Sequence, residues 1–163
     1  MILPFSCPVA AEPLFSVKSY EFCRDVVNNV PQRPYENPTE IRKNEKLWIW
    51  LEISVSPQGH RFLRNLSKFP VYVAWGKDGW LIGKNIDIGI TPEQWEANEQ
   101  GINWKSKSSP DSTFTWRTHA VREAIVPGEY YVSILDANRK SVTTLDDTTE
   151  CCKPTIQLID VQR

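Results

Sequence analysis

Two tryptophans and a carboxylate occupy every second position of one segment, as Trp48, Trp50 and Glu52. Alternate residues of a β-strand project from the same face, about 7 Å apart. Two indole rings at that spacing can stack on successive sugar rings or grip an apolar peptide, and a carboxylate beside them can accept hydrogen bonds from sugar hydroxyls. The pattern therefore predicts an aromatic binding surface. The alternative is a second core, in which residues 28–46 or 59–69 cover both rings.

A second pair of polar residues, Arg117 and His119, lies in an alternating segment at 113–120. Phe114 and Trp116 share the other face of that segment, so the two polar residues point away from the predicted core. They are candidates for an anion-binding or acid–base site, or for a sheet face that a loop covers in part. Because an unpartnered buried arginine is costly, we expect Arg117 to meet a carboxylate or backbone carbonyls from residues 28–46.

Catalytic motifs are absent from the sequence. It contains neither a Gly-x-Ser-x-Gly elbow nor a His-Glu-x-x-His helix. The segment from Gly79 to Asn85 resembles a phosphate-binding loop, but it is one residue short and has Asn85 where Ser or Thr would bind magnesium. A glycosidase needs two facing carboxylates, and Glu52, Glu123 and Asp136 are candidates only because they lie near predicted strands. We expect no catalytic residues and no cofactor.

The cysteines lie near the two ends of the chain, as Cys7, Cys23, Cys151 and Cys152. Their spacing does not provide the close ligand pairs of a zinc site, so we expect no metal. A disulfide from Cys23 to Cys151 or Cys152 would close a loop of well over about 100 residues and stabilise the fold by up to ~4–5 kcal/mol in the chain-entropy model. Such a bridge needs an oxidising compartment. The alternative is four reduced thiols in the cytosol.

The elements that must hold these residues are predominantly strands. Alternation of apolar and polar residues is clearest at 47–55, and Asp78-Gly79 between two apolar arms indicates a hairpin. Strands are predicted at 14–23, 47–55, 71–75, 80–90, 113–120, 129–136, 141–145 and 155–161, short helices at 59–69 and 92–101, and an irregular connection at 28–46. Trp75 and Trp80 are placed on the apolar face of the hairpin. The order predicts an all-β fold, an immunoglobulin-like antiparallel β-sandwich with one or two short helices.

Composition sets further limits. The 163 residues carry a net charge of −1 and include seven Trp, five Tyr and six Phe. Such a chain lacks the basic surface that nucleic acid requires, and it has no apolar run near the ~20 residues of a membrane span. We expect one β-sandwich domain at 14–163, preceded by a leader or disordered segment at 1–13 whose Ala10-Ala11 pair is typical of the end of an export signal.

The second half of the chain carries a recognisable series of segments. Residues 70–75 (PVYVAW) are followed by 114–118 (FTWRT) and by 127–138 (PGEYYVSILDAN). This series resembles the bacterial domain-of-unknown-function family twenty-nine-fourteen. In that family, a strand ending in Trp and an aromatic-Arg-Thr strand precede Gly-x-aromatic-x-Val-x-x-x-Asp. The resemblance covers residues 14–145. It implies a small all-β envelope domain and brings no established activity.

Together these observations predict a non-enzymatic binding or protein-interaction module of a bacterial envelope or secreted protein. Its partner would be a protein or a glycan, held by surface aromatics with Arg117 as a polar anchor. Two other functions stay open: a hydrolase acting on glycans, and a structural accessory subunit without a small ligand. The expected location is periplasmic or extracellular, with a cytosolic location as the alternative.

Overall fold

Alternating apolar and polar residues build two β-sheets whose apolar faces pack against each other. A computed structural model describes residues 14–56, 58–59, 67–91, 93, 114–142 and 153–161. The strands within those ranges are β1 (Phe15–Val27), β2 (Val30–Pro34), β3 (Thr39–Ile41), β4 (Leu47–Val55), β5 (Tyr72–Lys77), β6 (Trp80–Asp87), β7 (Phe114–Arg122), β8 (Gly128–Leu135) and β9 (Thr155–Asp160).

One sheet has four strands in the order β2-β1-β4-β7, and the other has five in the order β3-β9-β8-β5-β6. All strand pairs are antiparallel except β3 and β9, which run parallel. The predicted all-β sandwich is therefore confirmed. Among the described strands, β7 forms one edge of the first sheet and β6 forms one edge of the second.

The core lies between the sheets and follows the predicted alternation along β4. Every odd residue of that strand is fully buried: Leu47, Ile49, Leu51, Ile53 and Val55. Beside them lies a cluster of aromatic rings in which Phe69 contacts Phe15 and Trp116 edge-on, with ring centroids 5.5 and 5.3 Å apart. This packing fixes which face of β4 and β7 points away from the core.

The segment at 28–46, predicted to be irregular, contains two short strands instead. Asn28 and Asn29 have positive φ angles of 51° and 57°, and they form the two-residue turn between Val27 and Val30. Asparagine tolerates this left-handed backbone, which is the geometry of a tight hairpin. The prolines of β2 misled the prediction, because proline is tolerated in an outer strand such as β2, where part of the backbone has no partner.

The hairpin predicted at Asp78-Gly79 is confirmed, with positive φ at both residues, 51° and 86°. Its second strand differs from the prediction in its end, which is Asp87 rather than residue 90, and in the exposure of its first residue. Trp80 is 78% exposed rather than part of the apolar face. The reason is its position: it begins the outermost strand, opposite Lys77 at the turn, where the described part of the sandwich ends.

Several predicted elements lie wholly or partly outside the described residues. Of the helix predicted at 59–69, Gly59 is helical, and the segment ends with Phe69 in a β-bridge to Ile90. The helix at 92–101, most of the strand at 141–145 and the segment at 1–13 are outside the described ranges, although Ser141 forms a β-bridge with Leu135. Within those ranges, no helix has the length and hydropathy needed to cross a bilayer.

Candidate functional site

Pairing of β4 with β7 brings the two groups of predicted site residues onto one face. Trp50 lies opposite His119, and Glu52 lies opposite Arg117. Directly opposed residues of an antiparallel pair project from the same side of the sheet. Trp48, two residues before Trp50, joins them there. The two stretches were predicted separately, and the sandwich merges them into one surface on the side away from the core.

Trp50 is buried, with 9% of its surface exposed. Its indole nitrogen donates a hydrogen bond of 2.9 Å to the carbonyl oxygen of Asn29, in the turn between β1 and β2. The predicted open platform of two rings is therefore wrong for this ring. Part of the 28–46 segment covers it, as the alternative interpretation required. The ring of Trp50 therefore has no open face on which a ligand could stack.

Trp48 is half-buried and packs against His119, with ring centroids 5.2 Å apart and planes inclined at 59°. Burial lowers the pKa of His119, because the imidazolium form loses hydration there. Its Nδ1 atom is buried and has no hydrogen-bond partner among the residues that the structure describes. Trp48 and His119 therefore place an aromatic ring beside a buried ring nitrogen that has no hydrogen-bond partner among the described residues.

Glu52 and Arg117 are neighbours in the strand register but do not form an ion pair. The Glu52 carboxylate instead lies 2.9 Å from the Lys18 ammonium group. Arg117 is exposed, and within the described ranges its guanidinium forms no hydrogen bond or ion pair. Its predicted contact with residues 28–46 is thus not seen, because exposure to water removes the need for a buried partner.

Trp48, Arg117 and His119 line one cleft of about 560 Å³, which we call the edge cleft. One wall is residues 116–121 of β7, and the other is residues 86–90, at the end of β6 and just beyond it. Asn29 also contributes to the lining. Trp50 and Glu52 lie on the same sheet face but outside the cleft. The structure thus brings three of the five predicted residues together in a concave site.

The walls of the edge cleft touch at one point within it, and the two segments approach each other again beyond its lining residues. The Thr118 hydroxyl donates to the carbonyl oxygen of Ile88 at 3.2 Å. Farther along, the Arg122 guanidinium lies across the backbone of Gly83, 2.7 Å from where a Cβ atom would be. The cleft therefore runs between two extended segments of opposite direction, one from each sheet.

Sequence reasoning missed the wall at 86–90. The strand predicted at 80–90 ends at Asp87, and Ile90 forms a β-bridge with Phe69. Nothing in the local pattern of this segment indicates which element lies opposite. A further feature was also missed: Trp116 is 1% exposed, lines the edge cleft, and its indole nitrogen has no partner among the described residues.

Asp87 is the one carboxylate among the described residues that line the edge cleft. Its carboxylate lies 2.7 Å from the Lys68 ammonium group. Burial raises the pKa of Asp87, but hydrogen bonds from Lys68 and the Gly89 amide outweigh this, so the pKa lies below its ordinary value. Asp87 is therefore ionised at neutral pH and cannot serve as a general acid there. In the described ranges, no group of acidic, histidine or cysteine side chains could hold a metal ion.

A polar cavity of about 800 Å³ lies elsewhere in the molecule and is lined by Arg24, Tyr35 and Glu45, among others. These three side chains satisfy one another. The Tyr35 hydroxyl donates to Glu45 at 3.1 Å, and the Arg24 guanidinium lies 4.1 Å from the centre of the Tyr35 ring. Burial, followed by the charge of Glu45, raises the pKa of Tyr35. The exposed residue Arg33 also lines this cavity.

Cys23 is a buried free thiol on β1, and burial raises its pKa. Its predicted bonding partners, Cys151 and Cys152, lie outside the described residues, so the disulfide stays a prediction. β1 pairs with β2 and β4, whereas β9 pairs with β3 and β8 in the other sheet. The first and last strands are therefore not hydrogen-bonded neighbours.

No protein-family model matches the chain. No curated protein matches it either. Function is therefore inferred from the geometry of the site.

Proposed function

We propose that this chain is a non-enzymatic binding module that holds a partner in the edge cleft. One observation carries the proposal. Trp48, Arg117 and His119 come from two separate strands, and they line one concave site of about 560 Å³. Concave sites that combine aromatic surface with a few polar groups are the usual form of a binding site.

The chemistry of the lining favours binding over hydrolysis. A glycosidase requires a carboxylic acid that stays protonated near neutral pH, facing a second carboxylate. Among the described lining residues, the one carboxylate is Asp87, whose pKa is lowered and which pairs with Lys68. Arg117, by contrast, faces the cleft without a partner among the described residues, which suits the recognition of an anionic or acceptor-rich group.

The cellular setting is part of the same proposal. No family model matches the chain, and we propose the bacterial envelope or secreted location that the resemblance of residues 14–145 to family twenty-nine-fourteen implies. Such a module would act by surface complementarity, with Trp48 supplying apolar contact area and Arg117 a directional hydrogen-bonding group. Because its lining residues lie largely on strands rather than on loops, little conformational entropy should be lost on binding.

Screening the chain against a glycan array and a displayed library of random peptides tests the proposal, with Trp48→Ala and Trp80→Ala measured beside the wild type. Trp80 is the matched control, because it is 78% exposed and lies at the other end of β6 from the cleft. We expect ligands of the wild type to lose at least tenfold in affinity with Trp48→Ala and to bind Trp80→Ala unchanged. Equal binding to all three proteins, or an absence of ligands in both libraries, would overturn the proposal.

A further inference from the structure

We infer that the partner in the edge cleft is an extended acidic segment of another protein, which pairs with the edge of β7 and places a carboxylate on Arg117. This inference rests on the proposed binding function and specifies the class of ligand. It combines three observations: the form of the cleft, the charges in and around it and the burial of Trp50.

The cleft follows a strand edge. β7 is the last strand of its sheet among the described residues, so one side of its backbone has no strand partner there. Six consecutive residues of β7, 116–121, line the cleft. At the rise of a strand this is a length of about 20 Å. An extended peptide can add to such an edge through main-chain hydrogen bonds, while its alternate side chains enter pockets on either side.

The opposite wall has the same extended form. Residues 86–90 line it consecutively and contribute three isoleucines, Ile86, Ile88 and Ile90. The walls are held at one point by the Thr118–Ile88 hydrogen bond of 3.2 Å. Ile88 and Ile90 are buried in the core, so the groove lies between two antiparallel extended segments with a strand edge on one side. This form suits a peptide chain better than a branched or cyclic ligand.

The charges in and around the cleft favour an acidic partner. Lys18 and Glu52 pair with each other, and so do Lys68 and Asp87. Arg117 is left as the cation without a partner among the described lining residues. A guanidinium group binds a carboxylate through two parallel hydrogen bonds, which fixes both position and orientation.

Burial of Trp50 counts against a glycan in this position. Stacking on successive sugar rings needs two open aromatic faces, and the turn at Asn29 covers the second one. One half-buried ring, Trp48, is left to contact the ligand. A single aromatic surface beside a strand edge suits an apolar peptide side chain next to the acidic one.

The test uses random twelve-residue peptides displayed against the full chain. Enriched peptides are then synthesised and titrated against the wild type, Arg117→Gln and Arg33→Gln. Arg33 is the matched control, an exposed arginine that lines the separate polar cavity. We expect the enriched peptides to share an Asp or Glu at one position. Arg117→Gln should weaken binding at least tenfold, and Arg33→Gln should leave it unchanged.

Two peptide variants make the result specific. Replacing the shared carboxylate by its amide should weaken binding to the wild type as much as Arg117→Gln does, with no additional loss when both changes are combined. In this inference main-chain hydrogen bonds hold the peptide, so methylation of alternate backbone nitrogens of the peptide should abolish binding.

The outcomes separate this inference from the proposed function. Peptides that lose affinity with Trp48→Ala but show no acidic preference would overturn the inference and leave the binding function standing. The same holds if acidic glycans bind in a Trp48-dependent manner and peptides do not. Peptides that bind Trp48→Ala and Arg117→Gln as tightly as they bind the wild type would overturn both the inference and the proposed function.

Discussion

The indole nitrogen of Trp50 and the carbonyl oxygen of Asn29 form a hydrogen bond of 2.9 Å that ties the β1–β2 turn across the outer face of β4. This bond gives two neighbouring tryptophans different roles. Trp50 becomes part of a small second core, whereas Trp48 stays accessible from the edge cleft. Because Asn29 also lines the cleft, Trp50 positions one end of the site without contacting a ligand.

Trp50→Ala should destabilise the protein by about 3–5 kcal/mol, the usual cost of truncating a buried tryptophan. Trp50→Phe keeps most of the ring but loses the hydrogen bond, so we expect about 1 kcal/mol from that loss. Urea denaturation of both variants measures the free energy of unfolding. Trp80→Ala, in which an exposed ring is removed, is the control and should change stability little. A cost below about 1 kcal/mol for Trp50→Ala would contradict the second core.

The turn makes a backbone prediction at Asn29. Its φ angle is 57°, a conformation that β-branched residues avoid. Asn29→Ile should therefore cost about 1–2 kcal/mol in stability. Asn29→Gly should cost much less, because glycine adopts this conformation freely and the acceptor for Trp50 is a backbone carbonyl. Thermal unfolding compares the two. Equal losses would mean that the asparagine side chain, rather than the backbone geometry, matters.

Buried His119 should make stability depend on pH. Its pKa is lowered in the folded state by burial, so the unfolded chain takes up the proton first as pH falls through about 6.5. The free energy of unfolding should therefore fall as pH decreases from that value towards the lower folded-state pKa, and should be highest above it. His119→Gln should remove this slope. Denaturation series between pH 5 and 8 measure it. An identical slope in both proteins would place its origin in another group.

The sequence predicted those parts of the fold that depend on neighbouring residues. Alternation from Leu47 to Val55 gave the faces of β4, and Asp78-Gly79 gave the hairpin turn. The same local logic failed for Trp80, because its exposure depends on where the sandwich ends. It also failed for the edge cleft, because the contact of Thr118 with Ile88 results from the packing of two sheets, which local periodicity does not encode.

For the candidate site, the sequence predicted which side chains lie on the outer face of each strand, but it did not predict how deeply each of them is buried. Trp48, Arg117 and His119 were found from their position on the outer faces of two strands. Trp50 has the same periodicity as Trp48, and only the position of the Asn28–Asn29 turn distinguishes them. That turn had a sequence signal in its two adjacent asparagines, but the prolines at 31 and 34 concealed the short strand after it.

The most direct test of the edge cleft is a titration of the ¹⁵N-labelled chain with a ligand selected from either library, followed by amide and indole chemical shifts. Binding in the cleft predicts shifts confined to residues 86–90 and 116–121 and to the indole resonances of Trp48 and Trp116. The resonances of Trp80 and Arg33 should stay in place. Shifts centred on the polar cavity or on the Asp78 hairpin, with the cleft unchanged, would contradict the account.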